Sequence, residues 1–275
     1  MDYRSLLLHR DGPVATVRLR PIARSFGLTP PAEVHEEVGH VMSTLRIDDS
    51  VHVVVLTGEI NGEFVIPPLT SAYRGGGQSS RLADPKTEWG RGTGVIRAHQ
   101  AMAEMEKPII AKVNGDAIGF GSSLLFSCDL IIAREDAKIC DMHLGLGHVR
   151  PSRGGEPVGP NFSMFPGDGG LSVVPLFMSP ARAKEYLFLA RDYTAAEMNE
   201  FGWINAAVPA QELDAAVDDL VARLLERSPD ILAYAKRVAN RRIVDHMNLT
   251  LDAAAAYEHV SIRQWLDAST PQKEA

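Results

Sequence analysis

Lys107–Asp129 reads KPIIAKVNGDAIGFGSSLLFSCD, and this stretch decides the fold. Ile109–Val113 is largely apolar and rich in β-branched residues, as strands are. A tight Asn114-Gly115 turn follows, then a Gly-x-Gly corner at Gly119–Gly121, then an apolar helix. Glycine at a strand-to-helix corner lets the backbone approach a ligand closely, and the first N–H groups of a helix have no partner within it. A helix start also favours negative charge, so the corner suits a developing oxyanion.

The stretch resembles the signature of the crotonase superfamily (enoyl-CoA hydratases and isomerases), KPxIAxVNGxAxGGGxxLxxxCD. Lys107, Pro108, Ile110, Ala111, Val113, Asn114, Gly115, Ala117, Gly119, Gly121, Leu124, Cys128 and Asp129 fall on it. The resemblance implies an α/β fold, a crotonase-like spiral of stacked ββα repeats over residues 1–205. A helical C-terminal region over 206–275 would then assemble a homotrimer or a dimer of trimers. It further implies an acyl-CoA-type substrate that brings coenzyme A with it, no permanently bound cofactor, and an enolate held by two backbone N–H groups.

Working outward toward the N-terminus, Val14–Leu19 reads as a strand after the Asp11-Gly12 turn. Arg24, in LRPIARSFGL, falls near the position where the family meets the coenzyme phosphates, and equally reads as a solvated arginine. Thr29 is placed to cap a helix that opens with Pro30-Pro31. Val34, Val38, Val41 and Leu45 make its core stripe, with His35 and His40 expected at the surface. Val51–Thr57 is an apolar strand of the kind covered on both faces. Glu63–Leu69 then stands where the family carries FxAGxDL. Aligning on Phe64 puts the first oxyanion donor at Ile66, and two prolines replace the usual glycine. The second donor maps to Phe120, where a positive φ would be costly. From Gly62 to Gly94 there is no helical period, which predicts a long loop over the substrate pocket. Val95–Glu106 predicts a helix.

Beyond the signature, Leu130–Ala133 and Lys138–Cys140 read as short strands. Gly145–Pro160 is an insertion whose Arg150 and Arg153 suit coenzyme phosphates, and Phe165–Gly170 resembles the family's PGxGG turn. Ser179-Pro180 opens a helix, Thr194 and Glu197 form a capping box, and Gly202 marks a stop. Phe201–Pro209 is similar to the family's GLVNxVVP. From Gln211 onward the pattern is helical, with Leu213, Val217, Leu220, Val221 and Leu224 on one stripe and Ser228-Pro229 starting the next helix. Asp252–Ala256 and Trp265 are expected in buried contacts.

Hydratases of the family set two glutamates across the acyl chain, one to take a proton from water and one to protonate the α-carbon. Counting along the signature, those positions hold Ser123 and His143. A standard two-glutamate hydratase is therefore not expected. His143 is suited to act as a base near neutral pH, with Asp168 of the Phe165-Pro166-Gly167-Asp168-Gly169 turn fixing its tautomer. The order Asp141-x-His143 followed by that turn is similar to the 6-oxocamphor hydrolase-like β-diketone hydrolases. Those relatives also use a histidine close to the Gly-x-Gly corner, and none stands at the corner in this sequence. Against these roles, a lone histidine is more often structural, and aspartate in a glycine-rich turn is often turn chemistry. Ser123 reads as a hydrogen-bond donor or as a small residue at a helix start. A Ser123–His143–Asp168 nucleophilic triad is disfavoured, because the two glutamate positions flank a substrate. Three readings follow: an acyl-CoA hydratase/isomerase-type enzyme, a hydrolase cleaving a carbon–carbon bond of a cyclic β-diketone, and a catalytically silent binding homologue.

Composition narrows the remaining classes. A net charge of −7 argues against nucleic-acid binding. No apolar run reaches membrane-spanning length and the first residues do not have a signal peptide's architecture, so a cytoplasmic location with no membrane partner is expected. Cys128 and Cys140 read as buried thiols, with no metal-ligand spacing around them.

Overall fold

The computed structural model describes residues 2–21, 34–65, 85–148 and 163–269. In it β1 (Leu6–Asp11) and β2 (Val14–Leu19) form a hairpin, and β2 runs parallel to β3 (Val53–Gly58). β4 (Gly62–Val65) belongs to a second sheet. β5 (Ile109–Val113) returns to the first, parallel to β3, with Val54 opposite Ile109. β6 (Gly115–Ile118) lies in the second sheet, β7 (Leu130–Arg134) in the first, and β8 (Lys138–Cys140) in the second. β9 (Tyr193–Thr194) and β10 (Ala206–Val208) complete them. The orders are β1-β2-β3-β5-β7-β10 and β4-β6-β8-β9.

The chain thus lays one strand in each sheet and returns by a helix, the expected ββα spiral. α1 (Val34–Arg46) precedes the first such turn, α2 (Pro85–Glu104) closes it, and α3 (Phe120–Phe126) closes the next. β1, β4 and β6 were not expected from the sequence. Gly115-Asp116 reads locally as turn chemistry, yet cross-strand pairing with Gly62, Glu63 and Ile139 captures this segment as strand. Asn114 is the one-residue step between sheets. Its side chain accepts from the Gly58 N–H at 3.0 Å and donates to the Ile60 carbonyl at 2.7 Å, which ties the end of β3 to the end of β5.

The expected loop from Gly62 to Gly94 is shorter than predicted, because β4 opens it and α2 begins at Pro85, ten residues before Val95. Proline suits a first helical turn, where its missing N–H leaves no bond unmade. Gly94 sits where α1 presses closest: a Cβ there would lie 2.9 Å from Glu36 and 3.2 Å from His35. Residues 66–84 lie outside the described residues.

The core stripe of α1 is fully enclosed, as predicted, and all six residues of β3 are buried. α4 (Gly170–Val173), α5 (Pro180–Leu189) and α6 (Ala195–Glu200) follow β8, the last with the predicted Thr194–Glu197 capping box. α7 (Leu213–Leu225) covers the outer face of the first sheet with Leu213 and Val217 against Val53, Val55, Ile110 and Ile132. α8 (Pro229–Ala239) leads into α9 (Arg241–Ser269). α9 packs on the chain's own core through Met247, Leu251, Ala254, Ala255 and Ile262. Within the stretch expected to be buried, Asp252, Ala253 and Ala256 are exposed, because a helix on a core encloses one face only. The side chain of Trp265 lies outside the described residues. No helix of the described residues is long and apolar enough to cross a membrane.

One part-buried ion pair joins the ends of the signature. The Asp129 carboxylate accepts from the Ile109 N–H at 2.7 Å and from Lys236 Nζ at 2.6 Å, and Lys236 also donates to the Lys107 carbonyl at 2.9 Å. Lys236 is nearly enclosed, so losing its partner strands a charge in the interior. Asp129→Asn and Lys236→Met are each expected to cost about 3–5 kcal/mol in urea unfolding. The double variant should cost much less than the sum of the two. Additive costs would show that the pair does not hold α8 to the sheet.

Candidate active site

β6 ends in the corner that opens α3. Gly119 caps that helix with φ +57°, and Phe120 is its first helical residue. The strain expected at Phe120 is absent, since the neighbouring glycine takes the positive φ instead. The Gly119 N–H donates to the Cys140 carbonyl at 2.9 Å, which brings the end of β8 beside the corner. As the first helical residue, Phe120 has an N–H with no intrahelical acceptor. Ile66, the expected first donor, lies outside the described residues, as do Arg24, Arg150 and Arg153.

Immediately after β8, Asp141 and His143 enter the interior. His143 Nδ1 lies 2.8 Å from Asp141 Oδ1, which also accepts the His143 backbone N–H at 3.1 Å. His143 Nε2 lies 3.3 Å from Asp168 Oδ2. The other oxygen of Asp168 accepts from Ser123 Oγ at 3.2 Å. Ser123, Asp168, His143 and Asp141 therefore form one chain of contacts, and their exposures are 0%, 6%, 4% and 0%. The structure brings together the three side chains singled out from sequence. It differs in two respects. The spacing between the two glutamate positions is bridged by Asp168, so Ser123 and His143 are connected through a carboxylate. The ring is oriented by Asp141, a residue whose candidacy was visible only as part of the Asp141-x-His143 order. A Ser–His–Asp relay is not formed, because the serine hydroxyl faces a carboxylate and not the imidazole.

Burial penalises a charged imidazole at His143, but the Asp168 and Asp141 carboxylates outweigh it, with a smaller share from Glu258, and raise the group to about 10. Burial also raises the Asp168 carboxyl above its usual range, opposed by His143. Both directions mean that the cluster retains a proton that the separated groups would release. With that shift the His143 imidazole carries its proton at neutral pH. One polar atom remains unmatched: Asp141 Oδ2 is buried without a hydrogen-bond partner among the described residues. The ligand-type atoms of Asp141, His143 and Asp168 lie within 4.8 Å of one another. A divalent cation there would have to displace the proton, because both ring nitrogens already face carboxylates.

Two further elements hold the turn that carries Asp168. His99, fully buried on α2, donates Nε2–H to the Asp168 carbonyl at 2.9 Å, and its Nδ1 lies 2.7 Å from Ser127 Oγ. Burial lowers this imidazole to about 4, against the pull of the Asp168 carbonyl, so it stays neutral. Gly169 has φ +104°, and a Cβ there would sit 2.1 Å from His99 Nε2. From the other direction, α9 grips the start of the turn. The Phe165 N–H donates to Ser261 Oγ at 3.0 Å, and the Phe165 and Tyr257 rings lie 5.4 Å apart. His99 carried no functional signal in the sequence, since it sits among ordinary helical residues.

His35 departs from its expected surface position. It is half-buried, and its ring lies over Phe120 at 4.1 Å between centroids. His40 is exposed as expected, bonded to the Tyr3 hydroxyl at 2.9 Å.

A ββα spiral whose central strand ends in an open helix start, beside buried proton-carrying side chains, is the architecture of crotonase-type proteins. The chain belongs to the enoyl-CoA hydratase/isomerase family, whose model matches residues 28–264. It is 26% identical over 261 residues to a short-chain-enoyl-CoA hydratase of Clostridium acetobutylicum, covering 94% of this chain and 88% of that one. It is 27% identical over 258 residues to a crotonyl-CoA hydratase of Syntrophomonas wolfei, with the same coverage of both chains. In fold it is similar to an enoyl-CoA hydratase/isomerase from Mycobacterium paratuberculosis, with TM-score 0.78 and 22% identity over 98% of this chain and 100% of that one. It is also similar to a β-diketone hydrolase from the cyanobacterium Anabaena, bound to (S)-3-oxocyclohexyl acetic acid. That match has TM-score 0.77 and 20% identity over 96% of each chain.

The opposite shifts of the two buried histidines make stability fall on both sides of the ordinary imidazole value of 6.5. His143 is raised, so its contribution is complete below 6.5 and is lost as pH rises toward about 10. His99 is lowered, so its contribution is lost as pH falls from 6.5 toward about 4. Imidazole NMR should find His143 still protonated at pH about 8 and His99 still neutral at pH about 5. A His143 signal that is neutral at pH about 7 would break this account of the cluster.

Proposed function

We propose that the protein is an enzyme acting on an acyl-CoA-type substrate through an enolate, with the His143–Asp168 pair in place of the family's two glutamates. The observation that carries this reading is the contact chain Ser123–Asp168–His143–Asp141 beside the first N–H groups of α3. In this mechanism the thioester oxygen sits between the Ile66 and Phe120 N–H groups, the first and second donors, and negative charge develops there as the enolate forms. The proton retained by the cluster then passes to substrate carbon, with Asp141 stabilising and orienting the ring. Ser123 positions Asp168 and transfers no proton. Coenzyme A comes as part of the substrate, with Arg24, Arg150 and Arg153 as candidates for its phosphates. The family membership and the enoyl-CoA and crotonyl-CoA hydratases among the relatives support this reading.

The His143 Nε2 contact with Asp168 favours a second reading, hydrolytic cleavage of a carbon–carbon bond in a cyclic β-diketone. Both reactions pass through an enolate, and they part at the substrate: crotonyl-CoA for the first, cyclohexane-1,3-dione for the second. A buried cluster so fully connected counts against a catalytically silent binding homologue.

The proposed division is a spiral over 1–205 and a helical region over 206–275 that assembles a trimer or dimer of trimers. Ile231, Tyr234 and Val238 support it, since they form an exposed apolar row on α8. Sedimentation showing a stable monomer at micromolar concentration would contradict this assembly.

On whichever substrate turns over, His143→Ala should lose most of the rate, and Asp168→Asn about 10²-fold or more, by analogy with other His–Asp pairs. Ser123→Ala should cost far less. Because the donor must be protonated, kcat should fall as pH rises toward about 10. Full rates in both His143→Ala and Asp168→Asn, with Ser123→Ala inactive, would replace this scheme with a serine-centred one.

A further inference from the structure

His99 has no part in the proton transfer proposed above, yet it touches both halves of the site. From α2 its Nε2 reaches the Asp168 carbonyl at 2.9 Å, and its Nδ1 reaches Ser127 Oγ at 2.7 Å, just past the end of α3. Ser127 Oγ lies 3.0 Å from the Ser123 carbonyl, and Ser123 Oγ donates to the Asp168 carboxylate at 3.2 Å. Ser123, Asp168, His99 and Ser127 thus close a ring of contacts that ties α3 to the turn through α2. Ser123 and His99 are fully buried, so their bonds are not shared with bulk solvent.

These bonds fix which nitrogen of His99 carries the proton. A backbone carbonyl only accepts, so Nε2 is the donor toward Asp168. Nδ1 is then the acceptor of the neutral ring, and Ser127 gives it its one hydroxyl proton. The reverse tautomer would turn the Nε2 lone pair onto the carbonyl oxygen. A charged ring would satisfy every contact, but burial opposes it and lowers the group to about 4. His35 is the other titratable group in its field. The Asp168–Gly169 peptide is clamped as a result, with Gly169 at φ +104° and so close that a Cβ would lie 2.1 Å from Nε2.

We propose that His99 is a positioning residue: as the Nε2–H tautomer selected by Ser127, it fixes the Asp168 peptide and thereby the reach of the Asp168 carboxylate to His143. The proposal deepens the acyl-CoA reading above and rests on it for the effect on rate. The carboxylate springs from the same residue as the clamped carbonyl, and its Oδ2 stands 3.3 Å from His143 Nε2. Among the groups that raise His143, Asp168 comes ahead of Asp141 and Glu258. Attraction between charges weakens as they part, so a turn released from His99 leaves the imidazole without its main support against burial.

The test follows the His143 imidazole by NMR, and turnover of crotonyl-CoA and cyclohexane-1,3-dione, in wild type, His99→Gln, His99→Leu and Ser127→Ala. Glutamine keeps an N–H donor for the Asp168 carbonyl, and leucine keeps bulk without one. His99→Leu is expected to lower the proton affinity of His143 about tenfold or more. Its kcat should fall about 10- to 10²-fold with KM little changed, as for a misplaced reacting group. His99→Gln should restore both. Ser127→Ala should show both His99 tautomers in the ring nitrogen shifts, with a smaller loss of kcat. If His99→Leu melts like wild type and leaves the His143 pKa and kcat unchanged, the proposal fails. It fails equally if His99→Gln and His99→Leu both lose rate and melting temperature with the His143 pKa intact, since His99 then only packs. Should His99→Leu not fold, Ser127→Ala decides, and mixed tautomers with an unchanged His143 pKa and rate would overturn the proposal. If wild type turns over neither substrate, the functional reading falls and the NMR arm decides alone. A His143 pKa lowered in His99→Leu and restored in His99→Gln then upholds the positioning role, and an unchanged one overturns it.

Discussion

Two carboxylates and one imidazole share a volume from which water is nearly excluded, and the rest of the site follows from the charge of that group. Separately buried, each would shed its charge. Together they keep it by retaining one proton between them, with Asp141 on one ring nitrogen and Asp168 on the other. Removing one member strands the others, so the cluster is both a structural element and a proton store. One oxygen of Asp141 has no hydrogen-bond partner among the described residues. A buried acceptor left unpaired costs about 1–3 kcal/mol.

That cluster draws on four parts of the chain, and the spiral is what makes them neighbours. β8 delivers Asp141 and His143, α3 delivers Ser123, the turn before α4 delivers Asp168, and α2 delivers His99 as a brace. The bond from Gly119 N–H to the Cys140 carbonyl sets the end of β8 against the corner. Asn114 and the Asp129–Lys236 pair hold the strands that aim it. Without that frame the buried charges would have no fixed partners, and their energetic cost would not be offset.

Replacing two facing glutamates by Ser123 and His143 changes the character of the site more than its location. A pair of exchangeable carboxyls divides acid and base work between similar groups. Here the imidazole of His143 is held proton-rich by two carboxylates.

The Lys107–Asp129 stretch by itself determined the spiral, because its strand, its glycines and its buried aspartate are local requirements of that fold. It located α1, β3, β5, β7, β8 and the helices after Gln211, since each carries a core stripe or an apolar run readable within a dozen residues. Ser123, His143 and Asp168 were legible because they occupy countable positions in a long motif. What only the tertiary structure decided is pairwise and distant. β4 and β6 are strands because they find each other across 53 residues at Gly62 and Gly115, while their own sequences favour turns. α2 extends through a glycine-rich start because Gly94 fits beneath α1. The raised pKa of His143 depends on two carboxylates, one of them 25 residues away, meeting it in a dry interior. His35 and His99 looked like ordinary helical residues until the fold brought both onto Phe120, because the sequence period of a helix sets which face turns inward but not what waits there.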